Sequence, residues 1–457
     1  MYSEINVSVE DGNLGRNTGT STHAQVKIGV SAAEASSPIL ISNSMKPAEI
    51  RAKLGDCPLA DACIDATENG LETIYALPVK AGTEGTAGEV THTGDGAGSI
   101  TAEGKPGNAF DIVIRITETG GRNTGCFQFS VDGGNSFSGE YTIPEDGSFA
   151  VPGTGVTVTF TAGEGTDAGF VDGDDYAFRT TAPAMSNADV LDAVSKLAGF
   201  HKDFELCHIV GTSTGTLWAA LSGMAEEFLT IHKKPFIFLC EARPCRENET
   251  LDAYLAAMEA ERKGISSYFI SVCLTYATYV RKDLRTQDIN MAGVLSGLIG
   301  RTKESLSVGC VEECPISCAK LLKLLPDGIG DYSRKLDEAG YTVFRQYSGK
   351  EDYYVSNANV MAPAGSDFTY VESVRVLCRI IRAVSAKATD KIQCEIDPGN
   401  LEGSVGTIEA YLNIAIEDCL RDKIISSGAV TIDTKNLNIL ADETLDVEGE
   451  VSVICAN

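Results

Sequence analysis

No two cysteines in this chain stand three residues apart. That excludes the C-x-x-C pairs from which zinc and iron–sulfur sites are usually built. The fourteen cysteines are scattered through helix-like and strand-like segments, which fits reduced cytosolic thiols rather than a disulfide framework. Histidine is scarce as well: His23, His92, His201, His208 and His232 show no i, i+4 pairing or other ligand spacing. Positive charge is in short supply, with 37 Lys and Arg against 64 Asp and Glu and a formal charge of −27. Phosphate contacts need a basic face, so a nucleic-acid partner is excluded, and an anionic membrane surface is disfavoured. No stretch approaches the roughly eighteen apolar residues of a membrane-spanning helix. The opening "MYSEINVSVEDGNLG" has neither a basic segment nor an apolar run, so no signal peptide is expected.

What is present is an ordinary globular composition, 43% apolar and 22% charged, spread over 457 residues. That length is too great for one core and predicts two or three domains. Residues 1–23 are polar, with "INVSV" as a short alternating strand carrying Ile5, Val7 and Val9. "AQVKIGV", "SPILIS" and "ETIYALPV" read as strands. Between them, "MKPAEIRAKLG" and "PLADACIDATENG" read as helices with Pro just inside the start and Gly just past the end. From residue 82 to 183 the chain holds 21 of its 46 glycines, and acids outnumber bases by 15 to 4. Strand signals such as "FDIVIRITE", "CFQFSVD", "GVTVTFTA" and "DDYAFRTT" are separated there by turn clusters, which predicts an inserted all-β, sandwich-like domain.

From Ser186 the pattern becomes strand–helix–strand. Strands start at 205, 235 and 267, and helices are expected over 187–199, 215–230 and 250–263. That spacing suits βαβ units, and the nearly continuous apolar strands suit a sheet covered on both faces. The predicted fold class is an α/β core with a mixed, largely parallel sheet flanked by helices, an inserted all-β domain and extended terminal β arms. Amphipathic helices are expected over 370–388 and 404–421.

Chemistry-bearing motifs are few. Gly211-Thr212-Ser213-Thr214-Gly215 fits G-x-S-x-G between a strand and a helix, where a nucleophile elbow belongs. The hydrolase arrangement needs a later histidine, and only His232 follows, at the far end of a helix about 22 Å long. A turn capped by hydroxyls is the simpler reading. The same turn lacks a Walker lysine and G-x-G-x-x-G spacing. Cys310, Cys314 and Cys318 stand four apart but Pro315 interrupts them, so buried structural thiols are expected. Asp172, Asp174 and Asp175 lack EF-hand spacing and read as a β-turn, with a weak cation site as the alternative. His208, inside a strand, reads as a satisfied core residue. Arg375, Arg379 and Arg382 lie at i, i+4, i+7 on one side of their helix. They form either a solvated face with an acidic neighbour such as Glu372, or a basic stripe that docks an acidic partner surface.

The last segment, "TIDTKNLNILADETLDVEGEVSVICAN", alternates apolar and polar residues with no further strand behind it. A terminal strand with unpaired backbone groups is a liability in a monomer and an opportunity for β-augmentation in a polymer. Twenty extended residues span about 65 Å, enough to reach a neighbouring molecule. The alternative is that "VTIDT", "NLNIL" and "GEVSVICA" fold back on the chain's own sheet.

The order of these parts resembles the tail sheath proteins of contractile phage tails and related injection systems. The resemblance rests on the "SVEDGNLG" arm, "VKIGVSAAEASSPILISN", "ELCHIVGTSTGTLWAALSGMAEEFLTIHKKPFIFLCEARP", "DYYVSNANVMAPAGSDFTYVESVRVL" and the closing helix with its β tail. It covers residues 1–80 and 184–457 and implies an N-terminal arm (1–23), a core in two parts (24–81 and 184–429), an outer inserted domain (82–183) and a C-terminal arm (430–457). It further implies a non-enzymatic subunit without cofactor that polymerises with itself in hexameric rings around an inner tail tube protein and meets baseplate and terminator proteins. Such a subunit belongs to a virion tail or contractile injection particle assembled in the bacterial cytoplasm. Ile5, Val7, Val9, Val447, Val451 and Val453 would then pair across protomers, and Arg375, Arg379 and Arg382 would face the tube or a neighbouring subunit. The competing classes are an α/β hydrolase using Ser213 and an adhesin built on the β domain.

Overall fold

The computed structural model describes residues 23–454, apart from 34, 36, 164–168, 364 and 434–444. The expected N-terminal strand with Ile5, Val7 and Val9 lies outside the described residues.

The central sheet has six strands, in the order Ile270–Cys273, Ile237–Glu241, Leu206–Thr212, Gln25–Val30, Thr73–Val79 and Ile39–Ser42. All neighbours are parallel except the last pair, so the sheet is mixed and largely parallel. Gln25–Val30 is buried at every residue. It takes one neighbour from each side of the chain, with Gln25 opposite Ile74 on one edge and Leu206 on the other. Helices Pro58–Glu68 and Ala292–Arg301 cover one face, and Asn187–Lys196 and Gly215–Thr230 lie on the opposite side. Their ends follow from local chemistry. Pro47 and Pro58 stand at N1, where a missing N–H costs nothing, and Gly55 leaves its helix at φ 85°. Ser186 and Asp189 form a reciprocal capping box.

Residues 91–179 form two antiparallel sheets of their own, of five and three strands. They share a core in which the Phe127 and Phe160 rings, one from each sheet, lie 4.9 Å apart. The chain enters and leaves this unit side by side, for Thr83 and Ala184 form an antiparallel bridge. Asn108 of the unit donates to Asp61 of the core at 2.7 Å. In its last turn Asp174 accepts from the amides of Asp95, Gly96 and Val171, and Asp175 pairs with Arg115 at 2.8 Å. Those carboxylates are therefore occupied by the fold, and among the described residues no cluster of His, Cys, Asp and Glu has the arrangement of a metal site.

Helix Ala292–Arg301 has three glycines in ten residues, a poor composition for an isolated helix. Tertiary packing overrides this. A Cβ on Gly297 would come within 2.6 Å of the Ala66 carbonyl oxygen and of Asn69 Cβ, and one on Gly293 within 3.0 Å of Asp65 Cβ. The missing side chains let this helix lie directly against Pro58–Glu68. Beside it stands a three-stranded antiparallel sheet of Tyr276–Val280, Thr286–Asn290 and Leu321–Leu325. A last unit packs helices Val371–Thr389 and Leu401–Arg421 under a hairpin of Ile425–Ile432 and Val447–Val453. Replacing Gly297 by Ala is expected to destabilise the chain by about 1–3 kcal/mol in a denaturant titration, because the backbone it would strike belongs to a rigid helix.

Candidate interaction surfaces

Ser213 lies in the turn between Leu206–Thr212 and Gly215–Thr230, where the motif placed it. Its hydroxyl donates to the Glu241 carbonyl at 2.7 Å and accepts from Trp218 Nε1 at 2.8 Å. Both contacts are buried, so Ser213 pins the helix start to the next strand and is not displayed as a nucleophile. His232 lies beside Glu227, at the helix's other end.

A buried polar chain crosses three neighbouring strands close by. Lys27 Nζ donates to His208 Nδ1 at 2.8 Å, and His208 Nε2 donates to Glu241 Oε1 at 2.9 Å. Those partners require the neutral Nε2–H tautomer of His208. Lys27 also donates to Ser296 Oγ at 2.6 Å, which fastens helix Ala292–Arg301 to the sheet. His208 is thus the satisfied core residue expected from its place in a strand. Burial pushes Lys27 down to about 8 and Glu241 up to about 7; burial and the Lys27 charge hold His208 well below its ordinary range. The folded chain therefore keeps a proton on Glu241 between pH 4.5 and 7 that the unfolded chain has lost.

The three arginines of helix Val371–Thr389 do not form an exposed stripe. Arg375 is 2% exposed and makes a two-pronged contact with Glu205, Nε to Oε2 at 3.0 Å and Nη2 to Oε1 at 3.1 Å. It also donates to Thr302 O at 3.1 Å and His23 Nδ1 at 3.0 Å. Arg379 bonds Glu304 and pairs with Asp422 at 2.7 Å. Arg382 donates to the Pro235 carbonyl at 2.7 Å and lies 3.1 Å from Asp203. Both sequence readings of this face are corrected: the acidic partners come from the α/β core and from Asp422, and the arginines clamp their own helix to that core. The periodicity identified one helix face, but the residues opposite it lie up to 352 positions away.

The terminal strand has an in-chain partner. Val447–Val453 runs antiparallel to Ile425–Ile432, with Val447 opposite Ile432 and Val453 opposite Ile425. The far edge of Ile425–Ile432 is closed by helix Leu401–Arg421. Asn413 exchanges two hydrogen bonds of 2.8 Å with the Val430 backbone, and Glu409 accepts from Ile432 N at 2.9 Å. Val430 and Ile432 therefore point their backbone groups away from the hairpin partner. Antiparallel alternation then turns those of Val447, Gly449 and Val451 to the opposite, outer edge. In the two-stranded sheet that edge has no further strand among the described residues. Sequence reasoning found the strand; it missed Asn413 and Glu409, which decide which edge stays open.

Two measurements test these assignments. Between pH 4.5 and 7 Glu241 should contribute a fall in unfolding free energy of at most about 1.4 kcal/mol per pH unit, opposed below pH 6.5 by His208, which stays neutral in the folded chain. Denaturant titrations of Glu241→Gln across that window should lack this contribution. Arg375→Ala, which strands Glu205 in the interior, should lower stability by about 3–5 kcal/mol.

The DUF2586 N-terminal domain matches residues 2–359 and the DUF2586 C-terminal domain residues 367–457. Against curated proteins the sequence has no match. Among solved structures, the chain superposes on the sheath tail protein from Desulfitobacterium hafniense with a TM-score of 0.51 at 16% identity, covering 99% of this chain and 97% of that one. The PVC sheath complex of an extracellular contractile injection system, in the contracted state, gives 0.51 at 11% identity over 100% and 95% of the two chains. The helical sheath of the anti-feeding prophage, also contracted, gives 0.51 at 8% over 100% and 97%. The chain belongs to the DUF2586 family, and its fold is that of contractile-tail sheath proteins.

Proposed function

We propose that this protein is the structural subunit of a contractile tail sheath, polymerising into a helical tube around an inner tail tube and shortening to drive that tube through a cell envelope. The observation that carries the reading is the sheath fold running through nearly the whole chain, 99% of it against the Desulfitobacterium hafniense protein. Ser213, held in a buried structural contact, supports a mechanical role over hydrolysis. The subunit's partners are further copies of itself in hexameric rings, the tube protein, and the baseplate and terminator proteins at the two ends. The particle is a phage tail or an injection device put together in the bacterial cytoplasm. We divide the chain as the sequence did, with residues 82–183 decorating the outside of a core made of 24–81 and 184–429.

The open edge of Val447–Val453 is where a neighbouring subunit adds a strand, through the outward backbone groups of Val447, Gly449 and Val451. The N-terminal segment with Ile5, Val7 and Val9 is the natural donor, since it alternates and contains no proline. Strand links of this kind persist while other contacts exchange. Burying an extra ~400 Å² of apolar surface per protomer in the shortened lattice would release roughly 10 kcal/mol as an upper bound, enough when summed over many subunits to do work without a nucleotide.

Negative-stain electron microscopy of the purified full chain should show hollow tubes. Gly449→Pro removes an outward N–H while leaving the in-chain ladder intact, so this variant should fold with an unchanged circular dichroism spectrum and form no tubes. Tubes from the variant would refute the strand link, and monodisperse wild-type monomers at every concentration would refute the sheath role.

A further inference from the structure

The open edge of Val447–Val453 carries charge. Val451 and Val453 pack against the apolar cluster of helix Leu401–Arg421, so the alternate residues Glu448, Glu450 and Ser452 lie on the outer face, and all three are exposed. Across the hairpin Glu448 stands opposite Thr431 and Glu450 opposite Ala429, so no cation answers either carboxylate across the ladder. Gly449, between them, leaves a gap on the inner face. Among the described residues a Cβ there would meet only Val430 Cγ2, at 4.0 Å. Outward backbone groups, two carboxylates on one face and a one-residue gap on the other thus coincide on one short strand.

That combination is selective. Like charges directly opposite one another on a sheet face destabilise the pairing, and charged edges keep sheets from joining edge to edge. If two copies paired this edge through Val447, Gly449 and Val451 of both, Glu448 of each would face Glu450 of the other. A strand that fits must instead bring uncharged residues to both glutamates and apolar residues to the inner face.

Ile5-Asn6-Val7-Ser8-Val9 has that pattern, and an acid bounds it at each end, Glu4 and Glu10. With Val7 opposite Gly449, Asn6 and Ser8 fall on the two glutamates whether the strands run parallel or antiparallel. Their amide and hydroxyl can donate to carboxylates, and Val7 lies beside the gap. A slip of two residues, to Ile5 or Val9, sets Glu4 or Glu10 against one of the glutamates. A slip of one turns the apolar side chains to the charged face. Residues 10–22, fully extended, span at most about 43 Å, enough to cross to a neighbouring subunit.

We propose that Glu448 and Glu450 select what pairs with this edge: they repel the same edge of another copy and hold the N-terminal strand of a neighbouring subunit in the one register that sets Val7 opposite Gly449. The register rests on the strand link proposed above, and the test separates it from the sheath role. Full-length Val7→Cys and Gly449→Cys chains are mixed in equal amounts, oxidised with copper phenanthroline and run on a non-reducing gel, with electron microscopy in parallel. Covalent dimers are expected. With Ile5→Cys or Val9→Cys in place of Val7→Cys they should form at least ~10-fold more slowly. Two residues along a strand is about 6.8 Å, whereas a disulfide needs Cβ atoms within about 4.5 Å. Wild type controls for the natural exposed thiols, Cys318 and Cys394. Adding Glu448→Gln and Glu450→Gln to the Gly449→Cys chain should bring the three rates together. Tubes whose fastest link is to Ile5→Cys or Val9→Cys, or that give no link, would overturn the register and leave the sheath role standing. Rates left apart by the two glutamines would overturn the selection by charge. Dimers from Gly449→Cys alone would overturn the exclusion of edge-to-edge pairing. Val7 links in a protein that makes no tubes would support the register and overturn the sheath role. A protein that stays monomeric throughout overturns both.

Discussion

The buried strand Gln25–Val30 needs both of its edges satisfied, and the rest of the molecule is arranged around that requirement. Backbone N–H and C=O groups in a dry sheet must be paired. One edge is served by Thr73–Val79, close in sequence, and the other by Leu206–Thr212, about 180 residues later (Lys27 faces His208). Whatever lies between must return to its starting point. The unit from 83 to 184 does this by closing an antiparallel bridge between its two ends. The unit meets the core again at Asn108, which donates to Asp61.

Many of the polar groups buried around this strand are joined to one another, while Gln25 Oε1 is left without a hydrogen-bond partner among the described residues. Lys27, His208, Glu241 and Ser296 link three strands and a helix in one hydrogen-bonded chain. Asp61 and Asp65 take Arg51 and Arg281, and Asn108 brings the inserted unit into the same network. Burial raises Asp61, but the Arg281 and Arg51 charges outweigh it and hold the carboxyl below its usual value. Such networks contribute little net stability compared with apolar packing but penalise any arrangement that leaves a member unpaired. The network favours one relative placement of the core and the inserted unit.

Much of this was legible beforehand, for physical reasons that can be named. Strand starts expected at 205, 235 and 267 appear at Leu206, Ile237 and Ile270, since long apolar runs separated by amphipathic ones leave little choice of period. Pro47, Pro58 and Gly55 marked their helix ends through backbone geometry alone. Helix Ala292–Arg301 escaped notice because its glycines argue against a helix until the neighbour that requires them is in place. The arginines of Val371–Thr389 were located on one face but misjudged, since Glu205, Glu304 and Asp203 are remote in sequence.

The sequence by itself determined the periodic elements, the acid excess, the poverty in metal-binding and catalytic patterns, and the existence of a strand near the C-terminus. These depend on neighbours a few residues away, where covalent geometry and side-chain period control the outcome. The tertiary structure decided which groups meet across large separations. It turned a basic face into an internal clamp and closed one edge of the terminal hairpin with Asn413 and Glu409. Those outcomes depend on packing between distant segments, and no local pattern encodes which partner arrives.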